Sequence, residues 1–391
     1  MPKEIDMYNT YFGDCYMVKN EGSNLLVDFG IHSCASVWKN TYGDRQNLIK
    51  GIAEDIVKRY EQVSVLITHF HTDHIYGLIY MYKSGLKKYK GFFNKIYVPN
   101  VWGNPFSIVA SLLEEMLLRI QFKQALLLGK TCSLIDLVEF LCANARNVEL
   151  LSRGVSFEND KYLVLWPSKN ISRKEYKELL YHLNMPATML KSLYKLSKSI
   201  CIYVQGILNQ GEDGIVFDPK ETYAFKENYQ KIITEYEQLI TNLDKNEQLN
   251  KLNKLNHKIN IIFHDKVNGD ENILFTGDAE ESDINEIVSK TDYPVYDSYK
   301  FIKVPHHGTR THYYDFLKYN PAYILISNGV VKGHENDDAY KIDKRYGALN
   351  AEHFCSNSNN CLCCMKSCNS NLYCCGKTKN IVFPSIYKVI R

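Results

Sequence analysis

The apolar run Val63 to Ile67 empties directly into His69-Phe70-His71-Thr72-Asp73-His74. Aliphatic, partly β-branched residues bounded by polar ones predict a buried strand, so three imidazoles and a carboxylate arrive together at a strand end. If the strand continued, His69, His71 and Asp73 would share one face and His74 would point away. A sharp turn instead lets the two pairs of ligands diverge toward two neighbouring cations. Imidazole and carboxylate are borderline-to-hard donors that suit zinc, manganese or iron. A chance cluster of polar loop residues is the alternative, and this density of ligands after a buried strand argues against it.

Two downstream segments supply what a pair of cations would still lack. Leu274-Phe275-Thr276-Gly277-Asp278 reads as a strand ending in Gly-Asp. A carboxylate at a strand terminus can bridge two cations through its two oxygens and hold them about 3.5–4 Å apart, although a Gly-Asp turn alone is commonplace. Phe301-Ile302-Lys303-Val304-Pro305-His306-His307-Gly308 reads as another strand, ending in histidines. Adjacent imidazoles there are seldom ordinary core residues, because both cannot be buried and satisfied cheaply. Lys303, Thr309 and Arg310 lie close by in sequence as donors for a substrate oxygen, the alternative for Lys303 being an outward-facing strand position.

The chain has 391 residues, enough for two to three domains or for one large domain with insertions. With 45% apolar and 23% charged residues it is not a disordered or collagen-like chain. A net charge of +3 gives no global push toward nucleic acid or a membrane. No apolar run is long enough to cross a bilayer, and Met1 to Asp6 lacks the apolar core of a secretory signal. The expected location is therefore the cytoplasm, with no membrane partner. Seven of the twelve cysteines crowd between Cys355 and Cys375. In a reducing compartment such a cluster suggests metal ligation more than disulfides. Cys15, Cys34, Cys132, Cys142 and Cys201 read as ordinary buried thiols.

Short strands are predicted at Ile5–Tyr8, Cys15–Val18, Leu25–Asp28 and Ile96–Val98, with a helix over Gln46–Tyr60. Helical spacing runs from Pro105 to Asn147, yields to a strand at Tyr162–Trp166, and returns over Arg173–Ser197. The stripe Tyr229, Ile232, Ile233, Tyr236, Leu239, Ile240 and Leu243 reads as a helical packing face, with a lid or dimer face as the alternative. After the polar stretch Asp244–Lys258, strands are predicted at Ile259–Phe263, Asn272–Thr276, Phe301–Val304 and Ala322–Ile326. Helices are predicted between them at Glu281–Lys290 and Tyr313–Tyr319. Strand–helix alternation at both ends of a largely helical middle predicts an α/β chain with an insertion.

Gly13-Asp14, Leu25-Leu26-Val27-Asp28-Phe29-Gly30, the His69 to His74 motif, Thr276-Gly277-Asp278 and His306-His307-Gly308 fall in the order seen in the metallo-β-lactamase superfamily. The chain resembles that superfamily from about residue 4 to about 334. The last two motifs, with Leu163-Val164-Leu165-Trp166-Pro167, look most like one branch of it. That branch contains the cytoplasmic hydrolase domain of competence DNA-uptake channels and phosphorylcholine esterases. The resemblance implies an αββα metallo-β-lactamase-like sandwich with two metals at one edge of the paired sheets. Residues 1–104 would form the first half of the metallo-hydrolase domain, 105–255 a largely helical insertion and 256–350 the second half. A Cys-rich tail with a terminal strand would occupy 351–391.

Carried over residue by residue, the resemblance implies that His69 and His71 bind one metal and that Asp73 and His74 bind the other. Asp278 would bridge them, and His307 would complete the second site. His306 would stand beside it to donate to a substrate oxygen, and Asp28 would orient the histidine loop. The third histidine of the first site is where the chain departs from the pattern. His257 stands at the matching distance ahead of Asp278, Asn256 fits the competence-like variant, and His264 is too close; a solvated loop histidine is the other reading of His257.

The resemblance thus implies a dinuclear hydrolase with two zinc ions, manganese being the other candidate. Two cations sharing a water leave a bridging hydroxide poised for attack, while Asp73 and Asp278 orient it or accept its proton. The branch points to a phosphodiester substrate, a nucleic acid or nucleotide. The alternatives are a carbonyl substrate (lactone, thioester or β-lactam) or a partner-binding role in DNA processing or defence. Arg310 and His334 are candidate substrate contacts. Lys83, Lys87, Lys88, Lys90 and Lys95, interleaved with Tyr89, Phe92 and Phe93, form either a nucleic-acid surface or a solvated face. In the tail, His353, Cys355, Cys361, Cys363, Cys364, Cys368, Cys374 and Cys375 have spacings that can build a structural zinc site, with an oxidisable thiol cluster as the rival.

Overall fold

The computed structural model describes residues 4–10, 12–20, 22–32, 42–84, 91–121, 133–169, 171–209, 217–241, 244–329, 340–348, 351–356 and 386–389. Its strands form two sheets of seven. The first is ordered β14 (Ile386–Val389), β1 (Glu4–Tyr8), β2 (Tyr16–Asn20), β3 (Ser23–Val27), β4 (Val63–Leu66), β5 (Phe93–Pro99) and β6 (Val148–Leu151). The second is ordered β13 (Glu352–Cys355), β12 (Tyr323–Ile326), β11 (Phe301–Lys303), β10 (Ile273–Phe275), β9 (Ile262–Asp265), β8 (Tyr162–Trp166) and β7 (Ser156–Phe157). Each sheet is antiparallel at one end and parallel at the other. The switch falls at β3 in the first sheet and at β10 in the second.

Period-two alternation decides which side each residue serves. Ile5, Met7, Val18, Leu25, Val27 and Leu66 point between the sheets, where they meet Phe263, Phe275, Phe301 and Leu325. Their neighbours Tyr8, Met17, Leu26, Val63 and Val65 point the other way, against the helices outside the first sheet. On the outer face of the second sheet, Leu274, Ile302, Ile324 and Ile326 pack against Ile284 and Ile287. The four layers are helices, sheet, sheet and helix, so the expected αββα architecture is borne out.

The helical layer over the first sheet includes α1 (Tyr42–Arg59), α2 (Thr72–Lys83), α3 (Pro105–Gln121), α4 (Leu134–Ala143), α5 (Arg173–Tyr181), α6 (Ala187–Asn209), α7 (Pro219–Thr241) and α8 (Lys245–His257). The ninth described helix, α9 (Glu281–Ser289), covers the second sheet. Among the described residues, no helix is long and apolar enough to cross a membrane.

One polar stretch gains an element, and one expected helix is corrected. The polar stretch 244–258 is mostly α8, started by the Asp244 carboxylate accepting from the Glu247 backbone and held by Leu249, Leu252 and Leu255 on its inner face. Segment 313–319 is no α-helix: only a 3₁₀ turn at Leu317–Tyr319 forms, because Tyr314, Phe316 and Tyr319 all turn into the core and leave no helical stripe.

His264 in β9 has a consequence for stability. Its Nδ1 lies 2.8 Å from the Tyr299 hydroxyl and its ring stacks on Tyr296. Burial pushes its pKa down from 6.5 to about 4. Between those values the unfolded chain binds a proton that the folded chain does not. Stability is therefore full above the unfolded pKa and is lost as pH falls through this window, by about 3 kcal/mol. His264→Phe keeps the stacking and is expected to flatten the stability–pH curve between pH 6.5 and 4, as read by denaturant titration. An unchanged slope would contradict this account of His264.

Candidate metal centre

The chain leaves β4, passes Thr68 and His69, and turns into α2, with His71 as the residue preceding the helix and Asp73 in its first turn. A carboxylate in a first helical turn is favoured by the helix dipole. The turn is locked from outside. The Asp14 backbone donates to the Asp73 carbonyl at 2.9 Å, and Phe29 donates to the His74 carbonyl at 2.8 Å. Gly30 lies so close to this backbone that an added Cβ would stand 2.1 Å from the Asp73 carbonyl carbon. Any side chain there would displace the histidine loop.

Hydrogen bonds from behind set which nitrogen each imidazole presents. Asp28 accepts from the Thr68 amide and hydroxyl, both at 2.7 Å, and holds His74 Nδ1 at 2.7 Å. His74 Nε2 is thereby turned toward Asp278 Oδ2, 3.3 Å away. His307 Nδ1 lies 2.9 Å from the Ser327 carbonyl, which leaves Nε2 facing Asp73 Oδ2 at 3.1 Å. His306 and His307 both have left-handed backbone, with φ of 42° and 60°. This costs non-glycine residues roughly 1–2 kcal/mol each and is offset in part by Asn328 donating to the His307 carbonyl at 3.0 Å. Asp278 follows Gly277, where an added Cβ would collide with Asn260. Asn260 clamps this turn, accepting from the Asp278 amide at 3.0 Å and donating to the Thr276 carbonyl at 2.8 Å.

The donor atoms converge in overlapping groups. His69, His71, His257 and Asp278 each offer an atom within 4.8 Å of the others; so do Asp73, His74 and His307, and so do Asp14, His74 and Asp278. Both oxygens of Asp278, Nε2 of His74 and both ring nitrogens of His257 are buried with no hydrogen-bond partner. Each such orphan costs about 1–3 kcal/mol, and Asp278 and His257 each bring one into the first of these groups, which suits a cationic ligand. Imidazole nitrogens with carboxylate oxygens are the donor set that divalent cations take, so these residues fit a divalent metal.

The charges are mutually arranged. Burial opposes ionisation of Asp278, yet His74, His306 and Lys303 hold its carboxyl well below the usual range. Burial likewise opposes the His74 imidazolium, but the Asp278 and Asp28 carboxylates raise its pKa well above the ordinary value. Burial, reinforced by His74 and His71, drives the His69 pKa well down.

Of the other residues read from sequence, His306 stands at the mouth with Nε2 3.8 Å from Asp278 Oδ2. Arg310 is exposed on the following turn. His334 and Cys361, Cys363, Cys364, Cys368, Cys374 and Cys375 lie outside the described residues. His353 and Cys355 are buried in β13, with His353 Nε2 2.8 Å from the Tyr346 carbonyl. In the basic run, Lys83 pairs with Asp136 at 2.6 Å and Lys95 with Glu149 at 2.5 Å, while Phe93 packs in the core and 85–90 lie outside the described residues.

Sequence reasoning left one neighbour of the site, Lys303, open between two readings and missed two, His312 and Glu114. Lys303 does not face outward: it is 1% exposed, with Nζ 2.5 Å from Asp14 Oδ2, 2.8 Å from the Gly277 carbonyl and 3.6 Å from Asp278 Oδ1. His312 stacks on His306 at 3.9 Å and sits 5.2 Å from the His257 ring, so that His257, His306 and His312 form a further group of donors within 4.8 Å. Glu114 on α3 lies 2.9 Å from His71 Nε2. Only His312 had a visible signal, a polar His-rich run continuing past Gly308.

A family model described as the metallo-β-lactamase superfamily matches residues 8–85, which hold the first strands, the Asp28 turn and the whole His69 to His74 motif. Over that segment the chain is similar to the metallo-β-lactamase superfamily. No curated protein matches it. That similarity points to a metal-dependent hydrolase, and the His/Asp groups found here fit that chemistry.

Proposed function

We propose that the chain is a dinuclear phosphodiesterase acting on a nucleic acid or nucleotide, with zinc as its metal and manganese as the substitute. In this reading His69, His71, His257 and Asp278 hold one cation. Asp73, His74 and His307 hold the other, with Asp278 shared. The two cations would supply Lewis acidity and a water acidified toward neutral pH. Asp73 and Asp278 orient that water. The observation that carries the substrate class is the stacked pair His306 and His312 beside the first group. These imidazoles exceed what the seven ligands require. His306 Nδ1 is 3.0 Å from the Thr309 hydroxyl, which leaves Nε2 toward the site. Burial and the neighbouring His312 push the His306 pKa well down. It is therefore the neutral ring, with Nδ1 accepting from Thr309 and the proton on Nε2, that donates a hydrogen bond to a phosphoryl or leaving oxygen, a role that phosphodiester cleavage needs. The motif resemblance to the competence-channel and phosphorylcholine-esterase branch supports the same substrate class. Segment 105–255 is read as an insertion walling one side of the site.

A chromogenic bis-aryl phosphodiester, a chromogenic β-lactam and a thioester, each supplied with zinc or manganese, test the proposal. Phosphodiester turnover is expected. It should fall about 100-fold in His306→Ala and roughly 10-fold in His312→Ala, with metal content unchanged in both variants. Turnover of the carbonyl substrates alone would overturn the substrate class.

A further inference from the structure

We infer that Glu114 is a positioning residue through which the helical layer sets one metal position, by holding His71 in the tautomer that leaves Nδ1 free as a ligand. The inference rests on the dinuclear reading above. Glu114 belongs to α3, remote in sequence from the histidine motif, yet its Oε2 lies 2.9 Å from His71 Nε2. An ionised carboxylate only accepts, so the proton belongs on His71 Nε2 and the lone pair on Nδ1. Nδ1 is the nitrogen 3.0 Å from His69 Nε2, in the group that also holds His257 and Asp278. A carboxylate behind a ligating imidazole fixes the ring's orientation and raises its basicity.

The surroundings of Glu114 suit this role. It is 5% exposed, and a carboxylate so buried is costly unless it is satisfied. Asn256 on α8 donates from Nδ2 to the same Oε2, and Ser111 Oγ donates to Asn256 Oδ1 at 3.1 Å. The amide of Asn256 is thus spent on Glu114. The residue after Asn256 is His257, at the end of α8 and itself a member of the group. One packed helix pair, α3 with α8, therefore carries both the carboxylate behind His71 and the His257 imidazole. The helical layer becomes part of the metal position, not merely a cover over it.

Zinc titration of the full chain against a competing chelator tests the inference, using wild type, Glu114→Gln, Glu114→Met and His71→Ala. Nitrogen-15 shifts of the His71 ring report its tautomer directly. In Glu114→Gln one of the two zinc equivalents is expected to bind about 10–100-fold more weakly, with the other unchanged. The His71 ring, Nε2-protonated in wild type, should become a tautomer mixture. Glu114→Met should exceed Glu114→Gln in both effects; if it fails to fold, Glu114→Gln decides, since it keeps the shape and an acceptor. Wild-type affinity for both equivalents and an unchanged tautomer in Glu114→Gln would overturn the inference. Failure of the dinuclear reading looks different: wild type itself would take up no zinc, or His71→Ala would bind it undiminished.

Discussion

Asp278→Asn is expected to reduce phosphodiester turnover on the order of a thousandfold or more while leaving the fold intact. That loss corresponds to roughly 4 kcal/mol of transition-state stabilisation, in keeping with the several kcal/mol that paired cations contribute. The physical reason lies in the two oxygens of Asp278. Both are buried without hydrogen-bond partners, and they face His69 and His74 on one side and Lys303 on the other. An amide keeps the shape but offers one oxygen, and its NH₂ group points a donor where a cation would sit. The fold survives because the clamp from Asn260 acts on the backbone of residue 278 and not on its side chain. Circular dichroism should match wild type. Turnover within tenfold of wild type would show that Asp278 does not bridge.

Lys303→Met should have the largest effect on stability. Lys303 and Asp14 are 1% exposed and form an ion pair beneath the site, and Asp14 also faces His307 Nδ1 at 3.5 Å. Breaking a buried pair by removing one partner costs about 3–5 kcal/mol, because the remaining charge stays buried and uncompensated. Replacing both partners by apolar residues of similar size is far less costly. Lys303→Met is therefore expected to shift the denaturation midpoint strongly downward, and Lys303→Met with Asp14→Leu should recover much of the loss. If the double variant is no better than the single one, the stabilising role assigned to the pair fails.

The parts of the site legible in the sequence are those that need only local structure to converge. His69, His71, Asp73 and His74 are neighbours at a strand end, and the strand itself is marked by its aliphatic run. Asp278 and the His306-His307 pair were found the same way, each at the end of a β-rich segment. What stayed hidden depends on tertiary placement. Strand alternation puts Lys303 on the face of Phe301, between the sheets, but only the position of Asp14 explains why a lysine is buried there. Glu114 reads as one more polar residue on a helix until α3 is laid across the histidine turn. The helix ending in His257 was obscured by its many Asn and Lys residues, although Leu249, Leu252 and Leu255 mark an apolar stripe in it. Alternating strands and helices at both ends of the chain made the α/β class legible, whereas the αββα sandwich followed from the motif resemblance and not from the pattern.

The claim on which the rest depends is that this histidine- and aspartate-rich edge holds two cations. Zinc or manganese content per chain, measured after loading and removal of excess metal, tests it most directly. The account predicts two metals per chain in wild type and a lower content in His71→Ala. A folded wild-type chain that retains one metal or none would contradict it.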